Sequence, residues 1–179
     1  MLATYIYDYL LNKLSSISGS YLEIGIYDGE GIAMLAKKYP DKILYCIDPF
    51  IDDGCTTHIS GVDKGGALVK IRDAALKNIS DYKNIILFEV LSNKFNQHLP
   101  GIECILIDGD HSYEECCNDF ELSMRLLNEG GLLIFDDMQV EGVSNSVKLF
   151  ETKYGERIIT SEFIAGATAK AFYLKPTNV

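Results

Sequence analysis

The sequence predicts an α/β fold built around a largely parallel sheet, and three observations support this prediction. Two short apolar runs, 104–107 and 132–135, each end in aspartates and enclose one helical segment. A β-α-β unit of this kind makes its two strands parallel. Strands and helices alternate along the rest of the chain, through five strands in all. Two final strands, 157–164 and 169–174, have so short a connection that they form an antiparallel hairpin.

The helix between the two apolar runs has a clear start and a clear stop signal. Ser112 is a suitable N-cap, and the pair Gly130-Gly131 predicts the end of the helix. Apolar residues recur between them at three- and four-residue steps, which predicts a buried stripe on one face. The stripe consists of Cys116, Phe120, Met124 and Leu127.

Aspartates gather where the two parallel strands end. Asp108 and Asp110 follow the first run, and Asp136 and Asp137 follow the second. If the strands are neighbours, Asp108 and Asp136 lie roughly 5 Å apart, at the edge where open α/β sheets bind ligands. Crowded carboxylates repel one another, and hard oxygen ligands suit magnesium, calcium or manganese. The pattern therefore favours a cation site over aspartates that only cap helices or solvate a loop.

The composition indicates one globular domain over residues 1–179, with an amphipathic helix in 1–19 and the core in 20–179. Hydrophobic residues make up 47% of the chain, and the net charge is −10. This charge argues against sequence-independent binding to nucleic acid phosphates or to anionic membranes, and it is compatible with a small-molecule partner, especially one held through a metal. A homo-oligomer is compatible with the sequence.

The five cysteines show no C-x-x-C spacing, and no apolar run reaches the length of a membrane span. We therefore expect reduced thiols and a cytoplasmic location.

The first strand, 21–25, runs into a glycine turn and a helix, 32–39, so backbone can approach a ligand closely there. The glycines do not follow the dinucleotide pattern G-x-G-x-x-G, because Met34 stands where that pattern needs Gly or Ala. The second strand, 43–47, ends at Asp48, an acid well placed to accept both ribose hydroxyls. Together these features predict an adenosine-type ligand.

The polar segment 50–66 predicts a mobile lid over the ligand site, because loops of this length are usually lids or disorder. His58 within it is read as a solvated loop residue. A helix at 67–79 and a strand at 85–90 follow, and Ser92 comes just beyond that strand, where it can lie near the ligand or cap the next turn.

These motifs resemble the class I S-adenosylmethionine-dependent methyltransferases, within the group of macrocin-type and other metal-dependent small-molecule O-methyltransferases. The resemblance runs from about Tyr21 to the C-terminal hairpin. It rests on the E-I-G-x-x-x-G turn, on Asp48, and most specifically on D-G-D-H-S-Y followed by L-L-x-x-G-G and D-D. It implies a Rossmann-like, doubly wound sheet of seven strands in the order 3-2-1-4-5-7-6. Gly31 departs from the family, in which Ser or Thr is common at that position.

The resemblance also implies roles for individual residues. The magnesium or other divalent ligands would be Asp108, Asp136 and Asp137, and the candidate base is Asp110 or His111. The residues expected to bind S-adenosylmethionine are Glu23, Gly25, Tyr27, Gly29, Asp48, Ser92 and Asp108. The predicted activity is methylation of a hydroxyl on a small acceptor of sugar or phenol type. The alternatives are a non-catalytic S-adenosylmethionine or nucleotide-binding module and, less favoured by the glycine spacing, an NAD-dependent oxidoreductase.

Overall fold

Helices and strands alternate through the first half of the chain. The computed structural model describes residues 3–50, 64–164, 166 and 168–175. The elements of the first half are helix α1 (Ala3–Lys13), strand β1 (Ser20–Ile24), helix α2 (Glu30–Lys38), strand β2 (Leu44–Ile47), helix α3 (Lys64–Ile79) and strand β3 (Ile85–Phe88).

The second half continues the alternation and then closes with two strands. Its elements are strand β4 (Ile102–Ile107), helix α4 (Tyr113–Leu126), strand β5 (Leu127–Phe135), helix α5 (Glu141–Tyr154), strand β6 (Ile158–Phe163) and strand β7 (Lys170–Leu174). Among the described residues, seven strands form one sheet in the order β3-β2-β1-β4-β5-β7-β6. Strands β1 to β5 pair in parallel, and β7 is antiparallel to both β5 and β6. The predicted α/β class and the strand order implied by the resemblance are confirmed.

The sheet is covered on both faces, which explains why its central strands are apolar throughout. On one face, helices α4 and α5 bury a cluster of aromatic rings from helices and sheet. This cluster includes Phe120, Phe135, Phe150 and Phe172. On the other face, helices α1 to α3 pack against a second apolar cluster. Cys46 and Cys104 lie fully buried in β2 and β4, as expected for small apolar side chains.

Helix α1 reaches across the sheet to the last strand. The hydroxyls of Tyr9 and Tyr173 lie 2.8 Å apart, and both donate to Glu162 of β6, at 2.8 and 2.7 Å. Lys13 lies 3.5 Å from the same carboxylate. This network joins the first helix of the fold to the closing hairpin.

The predicted end of helix α4 at Gly130-Gly131 is wrong. The helix ends at Leu126, and β5 starts directly at Leu127, whose backbone is extended. Leu127 is buried and pairs with Ile102 of β4, before the register shifts. Pairing with the neighbouring strand therefore ends the helix one turn before the glycines.

The segment predicted as a lid lies almost wholly outside the described residues, because 51–63, including His58, are not described. The described part of that segment shows that α3 begins at Lys64, so three residues assigned to the loop belong to the helix. Helix α2 likewise begins at Glu30, two residues before its predicted start. Within the described ranges, no helix combines the length and apolar character needed to cross a membrane.

Candidate functional site

Four parallel strands end together at one edge of the sheet. The register pairs Ile24 with Ile47 and with Ile107, and pairs Ile107 with Phe135. The next residues along the four strands are Gly25, Asp48, Asp108 and Asp136. Because β4 and β5 are neighbours in this register, the sequence-based expectation that Asp108 and Asp136 end side by side holds. The candidate site is built on this edge.

Gly25 allows strand β1 to turn sharply against strand β4. Its φ is +85°, and a Cβ there would lie 2.2 Å from the carbonyl oxygen of Asp108. No residue with a side chain fits this close approach without moving the β4 backbone. The same turn holds Tyr27 at a φ of 51°. Two further non-glycine residues with positive φ, Phe50 and Asp137, also follow strands at this edge.

Asp48 fixes the loop after β1 through backbone hydrogen bonds. Its Oδ2 accepts from the amides of Ile26 at 2.9 Å and Tyr27 at 3.3 Å, and its Oδ1 accepts from Phe50 at 2.8 Å. Burial raises the pKa of this carboxyl, and the three amide donors oppose that rise. Asp48 therefore both borders the site and holds its backbone in place.

Glu23 lies beneath the glycine turn, fully buried. The hydroxyls of Tyr7 and Tyr21 donate to its two oxygens at 2.6 and 2.8 Å. Burial raises the pKa of Glu23 to about 8, and the two hydroxyl donors only partly oppose this rise. Glu23 does not border the cavity described next. Its contacts are those of a support under the loop.

A cavity of about 380 Å³ opens between the strand ends. Of the residues predicted to bind cofactor or to act as base, six line it: Gly25, Tyr27, Asp48, Ser92, Asp108 and Asp110. The remaining predicted site residues are not among those that line it: Glu23, Gly29, His111, Asp136 and Asp137. The structure therefore brings the two predicted halves of the site, the adenosine side and the acidic side, to one cavity.

Beside this cavity, two carboxylates and an imidazole converge on one point. Nε2 of His111 lies 3.1 Å from Asp137 Oδ2 and 3.9 Å from Asp108 Oδ1. One ligand atom from each of the three lies within 4.8 Å of the others. Interaction with Asp108 and Asp137 raises the pKa of His111 to about 10, and burial raises the pKa of Asp108 to about 6. We call these three residues the Asp-His-Asp group.

Asp136 lies next to this group but is not one of its three members. Its Oδ1 accepts from the backbone amide of Asp137 at 2.7 Å and from the Thr168 hydroxyl at 3.3 Å. The grouping in the structure thus contains His111 where the predicted ligand set contains Asp136. Asp137 in turn accepts from Gln139 Nε2 at 2.6 Å. The metal-ligand assignment stays a prediction, now with two alternative sets of residues.

Asp110 and Ser112 organise the start of helix α4. The backbone amide of Ser112 donates to Asp110 Oδ1 at 2.7 Å, and Ser112 Oγ accepts from the amide of Glu115. Ser112 is therefore the N-cap that the sequence predicts. These bonds fix the orientation of Asp110, one of the two candidate bases, at the cavity wall.

Three residues near the site were not identified from the sequence: Tyr7, Asp119 and Thr168. Tyr7 and Thr168 come from distant parts of the chain, so no local pattern marks them. Asp119 did leave a signal, because it follows Cys116 by three residues and so falls on the apolar stripe of α4. An acidic residue on a buried stripe is informative, and Asp119 is only 2% exposed.

A family model described as a methyltransferase domain matches residues 22–138, which are 117 of the 179 residues. The chain belongs to the methyltransferase domain family. The match begins in β1 and continues just past Asp137, so it includes the glycine turn, Asp48 and the Asp-His-Asp group. The predicted class I S-adenosylmethionine-dependent methyltransferase domain is confirmed.

A curated relative of this methyltransferase domain is protein R132 of Acanthamoeba polyphaga mimivirus, with 29% identity over 136 residues. The alignment includes 75% of the present chain and 58% of that relative. The chain therefore spans little more than half the length of the curated relative it matches.

Solved methyltransferases share the fold at low sequence identity. The O-methyltransferase NovP superposes with a TM-score of 0.70 at 13% identity, over 96% of this chain and 80% of NovP. The N-methyltransferase NodS from Bradyrhizobium japonicum WM9 gives 0.64 at 16% identity, over 98% and 97%. The O-methyltransferase TomG from Streptomyces achromogenes, solved in complex with SAM, gives 0.62 at 14%, over 93% and 78%. These similarities establish the fold of the methyltransferase domain.

Proposed function

We propose that this protein transfers a methyl group from S-adenosylmethionine to a hydroxyl of a small acceptor of sugar or phenol type, with the help of a divalent cation. The observation that supports this most is a cavity that both halves of the site share: Asp48 and Gly25 line it, and so do Asp108 and Asp110. A cofactor bound at the former residues brings its reactive end towards the latter. Methyl transfer is an in-line displacement, so holding cofactor and acceptor in one cavity supplies much of the rate.

Asp48 would hold the cofactor ribose. Its carboxylate lies at the end of β2, beside the glycine turn, and the backbone bonds to Ile26, Tyr27 and Phe50 prevent it from rotating. Gly25 permits the positive φ and the close approach to the Asp108 backbone that bring the turn to the cavity wall. Ribose binding and loop position would then depend on the same carboxylate.

The acidic side of the cavity would bind the acceptor and remove its proton. Asp110 lines the cavity with its orientation fixed by Ser112, and His111 lies next to it in contact with Asp108 and Asp137. Either residue is a candidate general base if the acceptor hydroxyl comes within hydrogen-bond reach. His111, whose pKa is raised to about 10, would first have to release its own proton. The surrounding carboxylates also suit the positive charge of a sulfonium methyl donor.

The residues present suit a divalent cation. The Asp-His-Asp group offers two carboxylates and one imidazole around one point, and Asp136 is an additional carboxylate nearby. Oxygen ligands favour magnesium or manganese, while an imidazole ligand favours later transition metals. A cation bound there would lower the pKa of a hydroxyl that contacts it.

Calorimetry with S-adenosylmethionine, S-adenosylhomocysteine and NADH tests the cofactor assignment. We expect saturable binding of both sulfur ligands, weakened at least about tenfold in Asp48→Ala through lost hydrogen bonds to a buried ribose. Asp41→Asn, an exposed substitution outside the cavity, should bind normally. Tight NADH binding without a response to S-adenosylmethionine would refute the proposal. Transfer of labelled methyl groups to a panel of phenols and sugars then tests the acceptor class.

Manganese titration followed by electron paramagnetic resonance tests the cation and separates the two ligand sets. If the Asp-His-Asp group binds the ion, Asp137→Asn and His111→Ala lose manganese binding while Asp136→Asn keeps it. If the three aspartates bind it, Asp136→Asn loses binding and His111→Ala keeps it. Methyl transfer that survives exhaustive chelation would show that the carboxylates act without a metal.

A further inference from the structure

Helix α4 carries a buried acid that the proposed reaction does not use. Asp119 is 2% exposed, and it lies on the same face of the helix as Cys116 and Phe120, which belong to the aromatic core. Asp119 is nevertheless one of the residues that line the cavity. Burying a carboxyl is costly unless polar partners compensate, so the position of Asp119 calls for a partner.

The hydrogen bond that the protein gives this carboxyl only partly compensates for its burial. The Ser92 hydroxyl donates to Asp119, and burial outweighs that bond and raises the pKa of Asp119 to about 7. In the part of the chain that the structure describes, no ion pair includes Asp119. The backbone of Gly109 lies close to the carboxyl of Asp119, because a Cβ added at Gly109 would lie 3.1 Å from Asp119 Oδ2. A hydrogen-bond donor on a ligand would complete this environment.

The position of Asp119 in the cavity indicates which part of the cofactor would supply that donor. If Asp48 holds the ribose and the sulfonium faces Asp108, the base extends towards the remaining wall. The other residues that line the cavity include Pro49, which follows Asp48 in the chain, and Leu91, which precedes Ser92. Ser92 donates to Asp119, and Glu115 is a further lining residue that interacts with Asp119. Pro49 and Leu91 offer apolar surface for the faces of a purine, and Ser92 and Asp119 offer polar atoms at its edge.

We propose that Asp119, together with Ser92, determines the base specificity of the site by accepting a hydrogen bond from the exocyclic amino group of adenine. This inference rests on the proposed function, because it assumes that the cavity binds an S-adenosyl ligand. A 6-amino purine presents a donor at this position, whereas a 6-oxo purine presents an acceptor. In its ionised form Asp119 offers only acceptors, so it favours adenine and disfavours hypoxanthine.

The test compares S-adenosylhomocysteine with S-inosylhomocysteine, which differs by a 6-oxo group on the base. Calorimetry on the wild-type protein should show at least about 100-fold tighter binding of the adenine ligand, since a site built for a hydrogen bond strongly rejects an analogue that lacks the donor. Asp119→Asn, which keeps the side-chain shape but adds an amide donor, should weaken adenine binding about 10- to 100-fold and reduce the preference below about tenfold. Glu114→Gln, an exposed acid-to-amide change on the same helix, should match the wild type.

Two outcomes would overturn the inference while leaving the proposed function intact. One is an Asp119→Asn protein that keeps the wild-type preference for adenine, which would make the contact with Ser92 purely structural. The other is a wild-type protein that binds both ligands equally, and this measurement decides the matter even if the variant does not fold. A wild-type protein that binds neither ligand would instead refute the proposed function.

Discussion

Tyr7 of helix α1 occupies the space that a side chain at Gly31 of helix α2 would need. A Cβ at Gly31 would lie 1.9 Å from Tyr7 Cζ and 2.2 Å from its hydroxyl oxygen. That hydroxyl donates to Glu23 below the glycine turn. In the family that the sequence resembles, Ser or Thr is common at this position. In the structure, the tyrosine hydroxyl from another helix lies in that position.

Gly31→Ser should therefore destabilise the protein by about 1–3 kcal/mol, the usual cost of overpacking. The cost should fall when Tyr7→Ala is also present, because the clash is then removed. Chemical unfolding of both single variants and the double variant measures the coupling. Strictly additive changes in the free energy of unfolding would show that Tyr7 and Gly31 do not compete for the same space.

The contact between helix α5 and His111 gives a second prediction. A Cβ at Gly142 would lie 2.2 Å from the His111 carbonyl oxygen and 2.9 Å from the Tyr113 amide. Both are backbone atoms, so Gly142→Ala should move His111, destabilise the protein by about 1–3 kcal/mol and weaken manganese binding. The measurements are chemical unfolding and the paramagnetic resonance titration.

Gly155 offers a control for that substitution at the other end of the same helix. A Cβ there meets nothing within 4 Å, and its φ of −54° is open to any residue. Gly155→Ala should leave manganese binding unchanged and stabilise the protein by up to about 1 kcal/mol. If His111→Ala loses the ion but Gly142→Ala binds manganese unchanged, His111 is not held by this contact.

The raised pKa of Glu23 predicts that the stability of the protein depends on pH. Its pKa is about 8 in the folded protein, against a reference of about 4.3 for an exposed glutamate. Between these values the unfolded chain has released the proton and the folded chain still holds it. The contribution of Glu23 to stability is therefore complete below about pH 4 and falls as the pH rises to about 8, by at most about 1.4 kcal/mol per pH unit.

Glu23→Gln isolates this contribution because the amide does not titrate. We expect the free energy of unfolding of the wild type, minus that of the variant, to decrease from pH 5 to pH 8. Urea titrations at four pH values give the difference, and titration of the other acids cancels in the subtraction. A difference that stays constant from pH 5 to pH 8 would mean that Glu23 is already ionised in the folded protein over this range.

Asp48 is proposed to bind the ribose, and it also holds the loop after β1 through hydrogen bonds to backbone amides. Asp48→Asn replaces a carboxylate oxygen with an amide donor opposite the backbone amides of Ile26, Tyr27 or Phe50. We expect a loss of about 1–3 kcal/mol in unfolding free energy and weaker S-adenosylhomocysteine binding. Asp41→Asn again serves as the exposed control. If binding weakens without any loss of stability, Asp48 contacts the ligand but does not hold the loop.

The sequence predicted what depends on local pattern and strand pairing. Apolar runs and terminal aspartates were enough to place Asp108 beside Asp136, and the cap at Ser112 follows from local chemistry. Which of two adjacent aspartates faces His111 was not predictable, because it depends on the left-handed backbone of Asp137 and on the bond from its amide to Asp136.

Contacts between distant segments were also hidden from the sequence. Tyr7 and Glu23 are 16 residues apart and meet only after α1 packs on the sheet. Thr168 reaches Asp136 and Asp137 because β7 lies antiparallel beside β5. The end of α4 was misplaced for the same reason, since its position follows from the pairing of Leu127 with Ile102.

The order of the last strands has a consequence for folding during synthesis. Strand β7 lies between β5 and β6, so β6 joins the sheet only through a strand that the ribosome makes later. Until Lys170–Leu174 has emerged, β5 is an open edge rich in apolar residues, which is a template for unwanted pairing with other chains. The hairpin that places Thr168 against the aspartates also covers that edge. Completion of the acidic half of the site and protection from aggregation therefore occur in the same late step.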